Sequence, residues 1–178
     1  MIKIPQKTKI IKIEPYDPEW KNEFLKIKNM IIKHVDDLII RIEHVGSTSV
    51  KGLAAKPIID LDVVIENNSI LPRTIKRLKK IGYEHEGNLG IEGREAFRKI
   101  RKDDLMKHHL YVCPEKGKGF VEHIALRNYL RENKKAKEEY EKLKFKLASK
   151  YRNDIDSYCK GKTEFIERIL NKTIYKDQ

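Results

Sequence analysis

Residues 43–65 read EHVGSTSVKGLAAKPIIDLDVVI, and this stretch decides the fold. The β-branched and apolar residues of Ile58–Ile65 predict a strand, and Leu38–Val45 predicts another strand before it. The intervening loop of small and basic residues begins with Gly46 and Ser47. We therefore expect two strands that are joined through a glycine-serine turn.

Asp60 and Asp62 lie on alternate positions of the second strand. Side chains of a strand alternate between its faces, so both carboxylates should share one face and their apolar neighbours the other. Neighbouring carboxylates repel, and a divalent cation relieves the repulsion. Mg²⁺ accepts one or two carboxylates and completes its shell with water and phosphate oxygens. The pair therefore predicts a metal site, with a solvated strand face as the alternative.

The loop before this strand has the composition of a phosphate site. Gly46 allows the backbone to approach a phosphate closely, and the hydroxyl and amide groups of Ser47, Thr48 and Ser49 can donate to its oxygens. Lys56 supplies positive charge nearby. A nucleotidyltransferase core has a Gly-Ser turn after one strand and an acid-x-acid pair on the next. The order of the two features therefore predicts a combined phosphate and metal site.

The rest of the chain predicts one α+β domain over residues 1–178, with a sheet core at about 9–115 and a helical tail at about 117–174. The two parts should pack together because no Pro/Gly/Ser linker separates them. The patterns predict the following elements: a strand at 9–14, helices at 19–35 and 69–81, a strand at 82–86, a hairpin of AFRKI (96–100) and HHLYVC (108–113), and roughly three helices after Gly119 with breaks near Asn133 and Asn153.

Composition limits the function classes. No stretch approaches the ~20 apolar residues that span a bilayer, and the N-terminus lacks the apolar segment of a signal peptide, so we expect a cytoplasmic protein with no membrane partner. Cys113 and Cys159 form no metal-ligand cluster.

Thirty-nine Lys and Arg against 27 Asp and Glu give a net charge of +12. This charge favours an anionic partner, although solvated helix faces account for many of the lysines.

The segment EHVGSTSVKGLAAKPIIDLDV resembles the hallmark of the GrpB-like family. Further similar segments follow the family's order from about Ile13 to Leu170: EPYDPEW, GYE, FRK, HHL, LRNYLREN, YEKLKFKLASKY and YCKGKTEFI. The resemblance implies a nucleotidyltransferase-like mixed β-sheet that is flanked by helices, with a C-terminal helical segment packed on it. Many proteins related to this family have no established substrate. A fold alone does not specify a reaction.

The resemblance also implies roles for individual residues. Gly46 and Ser47 would cradle a triphosphate, and Asp60 and Asp62 would hold Mg²⁺ or Mn²⁺. A third acidic residue is expected on a later strand, where it would help to activate the acceptor hydroxyl. The corresponding strand, His108–Cys113, offers no acidic residue.

Two explanations fit the missing acid. In the first, His109 replaces it as a metal ligand or base, and Zn²⁺ is then also a candidate because imidazole suits softer ions. Alternatively, the transfer chemistry is absent. Glu43 and Glu95 are further candidates for the carboxylate.

Three arginines have two interpretations each. Arg98 lies between apolar residues and either grips a phosphate in the cleft or forms an ion pair on the sheet surface. Arg127 and Arg131 lie one helical turn apart and either clamp an anion or pair with acidic groups such as Glu43. His44 is interpreted as a hydrogen-bonded structural residue.

The sequence thus supports two functions. The first is a metal-dependent nucleotidyltransferase that moves a nucleotidyl group from a nucleoside triphosphate to an unidentified acceptor, with Asp60, Asp62 and His109 as its catalytic residues. The second is non-catalytic binding of a nucleotide or phosphate metabolite, or an accessory role, at a degenerate transferase site. RNA is a third, weaker partner because no aromatic-rich platform for stacking bases is present.

Overall fold

The computed structural model describes residues 10–175. Its elements are, in chain order, α1 (Glu19–Val35), β1 (Arg41–Val45), β2 (Ile59–Ile65), α2 (Leu71–Lys80), β3 (Tyr83–Gly87), β4 (Glu95–Lys99), β5 (His108–Pro114), α3 (Lys118–Glu132), α4 (Lys134–Lys150), α5 (Ile155–Lys160) and α6 (Thr163–Thr173). This arrangement confirms the predicted α+β class. None of the helices in this part of the chain has the length and apolar character that crossing a membrane requires.

The five strands form one mixed sheet in the order β1-β2-β5-β4-β3. β1 and β2 are antiparallel, β2 and β5 are parallel, and β4 pairs antiparallel with both β5 and β3. The β4-β5 pairing confirms the predicted hairpin. The parallel pairing of β2 with β5 brings Asp60 beside His109 and Asp62 beside Tyr111.

One face of the sheet packs against α1 and α2. The predicted stripe of α1, at intervals of three and four residues, is buried throughout: Trp20, Phe24, Ile27, Ile31 and Val35. It belongs to one apolar cluster with Ile59, Leu61 and Val63 of β2. These residues anchor β2 and leave its aspartates on the opposite face.

Helix α3 lies against the other face, where its His123 reaches Asp62 of β2. Helices α4 and α6 pack against α3, and their apolar residues form a second cluster with the loop after β1: Val50, Leu53, Leu130, Ala136, Tyr140, Phe165 and Ile169. The helical tail therefore forms the outer wall of the space above the aspartates.

Two sequence predictions need correction. Residues 10–13 form no strand, and Glu14 makes a single bridge to Ala55; residue 9 lies outside the described range. Ile11 bonds instead to the Arg152 carbonyl and packs on the tail, so a helical surface takes the place of a sheet partner. The tail also has four helices after β5, because a break at Gly161 separates α5 from α6.

Candidate anion-binding cleft

Gly46 is required where β1 ends. Its backbone has φ +69°, a left-handed conformation that side-chain-bearing residues rarely adopt. A Cβ atom at this position would lie 2.3 Å from Oδ2 of Asp60. The glycine therefore admits the Asp60 carboxylate against the turn, and the two features predicted from sequence are in direct contact.

Asp60 faces a cleft of about 470 Å³ between the sheet and the helical tail. Nδ1 of His109, on the neighbouring strand, lies 2.8 Å from Oδ1 of Asp60. The side chains of Asp60 and His109 are 28% and 44% exposed. Both groups therefore remain accessible to a ligand.

Asp62 is fully enclosed, although it lies only two positions along the same strand face. Nδ1 of His123 contacts both of its carboxylate oxygens, at 3.1 and 2.9 Å. Burial raises the pKa of Asp62, while the bond from His123 opposes that rise. Burial also lowers the pKa of His123, but its hydrogen bond to Asp62 and the negative charge of that carboxylate together outweigh the effect of burial and raise the pKa overall. The two carboxylates thus have different environments.

The Ser47–Ser49 segment forms a single helical turn after Gly46. Ser47 borders the cleft and shares a hydrogen bond with Tyr140. The Thr48 hydroxyl lies 3.0 Å from Nε2 of His44, and the Ser49 hydroxyl donates to the Gly46 carbonyl. Two of the three predicted phosphate-binding hydroxyls therefore stabilise the loop itself. His44 is structural, as predicted, and burial lowers its pKa to about 4.

Four basic side chains line the cleft: Lys56, Arg94, Lys144 and Lys162. Each lies over a tyrosine ring, and none forms an ion pair with a carboxylate of residues 10–175. Arg94 stands 4.3 Å above the Tyr111 ring, and its buried Nε has no hydrogen-bond partner in this part of the chain. Unpaired buried donors are costly, so this arrangement favours an anion.

Lys144 is the most deeply buried of these cations, with 2% exposure. Its ammonium group donates to the Ala54 carbonyl. Burial and the nearby charge of Lys162 lower its pKa to about 7. An anion in the cleft would favour the charged form of this lysine.

Three predicted phosphate-binding arginines lie outside the lining of this cleft. Arg98 pairs with Glu84 and Glu86 on the sheet surface. Arg127 pairs with Glu43 at 2.8 Å and also donates to the His44 carbonyl. Arg131 donates twice to the Ser49 carbonyl. The ion-pair interpretations of Arg98 and Arg127 are therefore the ones that the structure bears out.

The sheet register locates the candidates for a third carboxylate. Glu95 pairs with Val112, so it lies on the opposite face from Asp60 and Asp62. Glu43 shares their face, but Arg127 and Arg41 hold it. Glu122 of α3 borders the cleft and accepts a hydrogen bond from the Tyr175 hydroxyl. The strand positions beside the aspartates are His109 and Tyr111, so β5 offers no carboxylate there.

The donor set limits which metal the cleft can hold. No group of three His, Cys, Asp or Glu side chains within residues 10–175 has the geometry of a metal cage. The side chains of these residues therefore do not fit a Zn²⁺ site, because zinc takes at least three protein ligands. Asp60 fits Mg²⁺ or Mn²⁺, because one carboxylate suffices when water and phosphate oxygens complete the shell. Asp62, predicted as a second ligand, is enclosed with both oxygens against His123 and is not part of the cleft lining.

Comparisons with known proteins identify the family of this chain. The family model described as GrpB protein matches residues 10–172. The chain is 38% identical over 160 residues to the glutamate-rich protein GrpB of Alkalihalophilus pseudofirmus, which covers 88% of this chain and 92% of that protein. The chain therefore belongs to the GrpB family, as its motifs indicated.

The solved structure of a GrpB protein agrees with this assignment. The crystal structure of the conserved protein GrpB from Enterococcus faecalis has a TM-score of 0.81 at 33% identity, covering 93% of this chain and 98% of that chain. The Cid1 poly(U) polymerase with MgGTP bound matches at a TM-score of 0.48 and 17% identity, over 70% of this chain and 41% of that chain.

The sequence analysis gave no role in the cleft to Arg94, Glu122, Lys144 or Lys162, all of which line it. One available signal was the α4 stripe, in which Lys144 occupies an otherwise buried row with Ala136, Tyr140 and Leu147. A lysine in such a row requires a polar partner or a ligand.

Proposed function

We propose that this protein binds the phosphate groups of a nucleoside triphosphate in the cleft, with Mg²⁺ or Mn²⁺ at Asp60, for nucleotidyl transfer to an unidentified acceptor. The observation that carries the proposal is the set of four cleft cations without a carboxylate partner among the described residues. Their positive charge matches a polyphosphate. The predicted cytoplasmic location stays part of this proposal.

Each residue has a distinct task. Lys56, Lys144 and Lys162 bind phosphate oxygens on one side of the cleft, and Arg94 binds them from the sheet side. Gly46 and Ser47 bring the turn close to the phosphates. Asp60 holds the cation, which when bound neutralises phosphate charge and orients the reacting groups.

Asp62 and His109 support Asp60 in this arrangement. The bond from His123 fixes the Asp62 carboxylate behind the cleft. His109 lies within hydrogen-bond distance of Asp60 and is the candidate base for the acceptor hydroxyl. A neutral imidazole can take a proton near pH 7.

Non-catalytic phosphate binding is the second candidate function. The specific observation in its favour is the β5 row, which presents His109 and Tyr111 where a transferase would present an acid. The cationic wall of the cleft is the same in both proposals. They differ in whether ligand binding requires a metal and whether pyrophosphate is released.

A thermal-shift screen tests the proposal. The protein is heated with ATP, GTP, CTP or UTP, each with Mg²⁺, Mn²⁺ or EDTA. A ligand that binds only the folded state raises stability by RT ln(1 + [L]/Kd), so a concentration of about 100 Kd adds roughly 2.7 kcal/mol. We expect a nucleotide-dependent rise in Tm that requires the metal.

Variants locate the effect. Asp60→Asn should remove most of the metal-dependent rise in Tm. Lys162→Met should make this rise smaller. Asp104→Asn is the matched control, because Asp104 is exposed on the loop between β4 and β5. If no combination shifts the wild type, nucleotide binding is refuted. A shift that persists in EDTA and in Asp60→Asn, without pyrophosphate release, replaces the transferase with the binding protein.

A further inference from the structure

A second cavity borders the same glycine-serine loop, and we call it the outer pocket. It measures about 480 Å³ and is lined by Tyr16, Lys21, Phe24, Lys51 and Arg131, among other residues. Its volume lies within the range of small-molecule sites. Thr48 lines both the outer pocket and the cleft, so only a short loop separates the two cavities.

The outer pocket has unbalanced positive charge. Lys21, Lys51 and Arg131 form no ion pair with a carboxylate of residues 10–175, and the described lining includes no acidic residue. His44 also lines the pocket, but its lowered pKa leaves it uncharged at neutral pH. Three converging cations therefore produce a local potential that favours an anion.

Arg131 is held in place before any ligand binds. Its Nε and Nη2 atoms donate to the Ser49 carbonyl at 3.2 and 2.8 Å. The remaining guanidinium N–H groups have no partner among the described residues. Because the side chain is already ordered, contact with a phosphate costs little further conformational entropy.

The floor of the outer pocket is apolar and partly aromatic. The Phe24 ring stacks on His44 with centroids 4.6 Å apart and an interplanar angle of 8°. Leu25 beside it is 39% exposed. Tyr16 lies at the rim, in edge contact with Trp20 at 5.6 Å. Tyr16 and Leu25 are accessible and offer a surface on which a planar ring can rest, whereas the Phe24 ring is buried against His44.

We infer that the outer pocket is a second ligand site, which binds a small phosphorylated compound carrying a planar ring, such as a nucleoside monophosphate. Lys21, Lys51 and Arg131 bind the phosphate, and Tyr16 and Leu25 contact the ring. This site gives a role to the EPYDPEW motif and to Arg131, which the cleft does not use. It does not depend on the function proposed for the cleft.

Trp20 supplies a local readout, because it is the chain's sole tryptophan and contacts Tyr16 of the outer pocket. Its fluorescence is followed while AMP, adenosine or inorganic phosphate is added to the full chain without divalent metal. We expect a saturable response to AMP, with a Kd at least tenfold below those of adenosine and phosphate.

Charge-matched variants assign the response to one cavity. Lys21→Met and Lys51→Met remove exposed side chains and should each raise the Kd for AMP about fivefold or more, whereas Lys162→Met in the cleft should leave it unchanged. Arg131→Met should weaken binding further, although it also removes a loop contact. The inference is overturned if AMP gives no saturable response, or if Lys162→Met weakens it while Lys21→Met and Lys51→Met do not.

Discussion

Leu61 and Asp62 are neighbours on β2, both are 0% exposed, and they face opposite sides of the sheet. Leu61 belongs to the apolar cluster under α1 and α2. Asp62 faces α3 and depends on one imidazole for compensation. Equal burial therefore has opposite consequences on the two faces, since apolar burial stabilises the fold and burial of a charge costs stability unless it is paired.

The difference divides the sheet into an apolar packing face and a polar face that borders the cleft. The face under α1 and α2 supplies the packing that fixes β2. The face under α3 carries Asp60, Asp62 and His109, none of which an apolar core requires. The following predictions test this division, beginning with the largest expected effect.

Leu61→Ala should lower the free energy of unfolding by about 2–5 kcal/mol, because it removes buried methyl groups and leaves a cavity. Urea denaturation monitored by circular dichroism measures this. Leu25→Ala is the control, since Leu25 is 39% exposed, and it should cost under about 1 kcal/mol. Equal costs for the two variants would contradict the assignment of the stabilising face.

The two aspartates should respond differently to the same change. Asp62→Asn should lower the free energy of unfolding by about 1–3 kcal/mol, because it weakens a buried charge-assisted hydrogen bond from His123. Asp60→Asn should cost under about 1 kcal/mol, because its side chain is partly exposed. Urea denaturation at pH 7 compares them. If Asp60→Asn proves the costlier change, Asp60 rather than Asp62 is the structural carboxylate.

Lys144 should make the free energy of unfolding increase as the pH is raised above neutral. Its pKa is about 7 in the folded protein and 10.5 ordinarily, so the unfolded chain binds more protons between these values. The free energy of unfolding should therefore rise with pH in this window, by up to about 1.4 kcal/mol per pH unit relative to Lys144→Met.

Denaturation of wild type and Lys144→Met at pH 7, 8 and 9 measures the Lys144 effect. Lys142→Met is the control, because Lys142 is exposed on the same helix and should show no such trend. A constant difference between wild type and Lys144→Met across this range would mean that Lys144 is not desolvated.

Local patterns predicted much of the fold. The α1 stripe, the strand carrying the aspartates and the β4-β5 hairpin are correct because each follows from a periodicity that neighbouring residues impose. The strand at 9–14 is wrong because an extended apolar segment can pair with a sheet or lie on helices, and only the position of the tail distinguishes these. The additional break lies at Gly161, which packs so closely against Leu147 of α4 that a Cβ atom there would clash with it, and this neighbour is distant in sequence.

The site was predictable where its residues are close in sequence. Gly46 and Asp60 are brought together by one antiparallel pair, so order and spacing alone indicated their contact. Arg94, Lys144 and Lys162 come from a loop and two tail segments, and no local pattern relates them. Their roles in binding, like those of Asp60, Asp62 and His109, stay predictions.

By itself, the sequence determined the family, the mixed sheet and the neighbourhood of the turn and the aspartates, because these depend on alternation and on short spacings. Only the tertiary structure decided which carboxylate faces the cleft. Asp60 and Asp62 are equivalent by strand periodicity, and they differ because α3 places His123 against one and leaves the other open beside His109. Which cations stand unpaired was decided in the same way, since charge balance depends on neighbours that are distant along the chain.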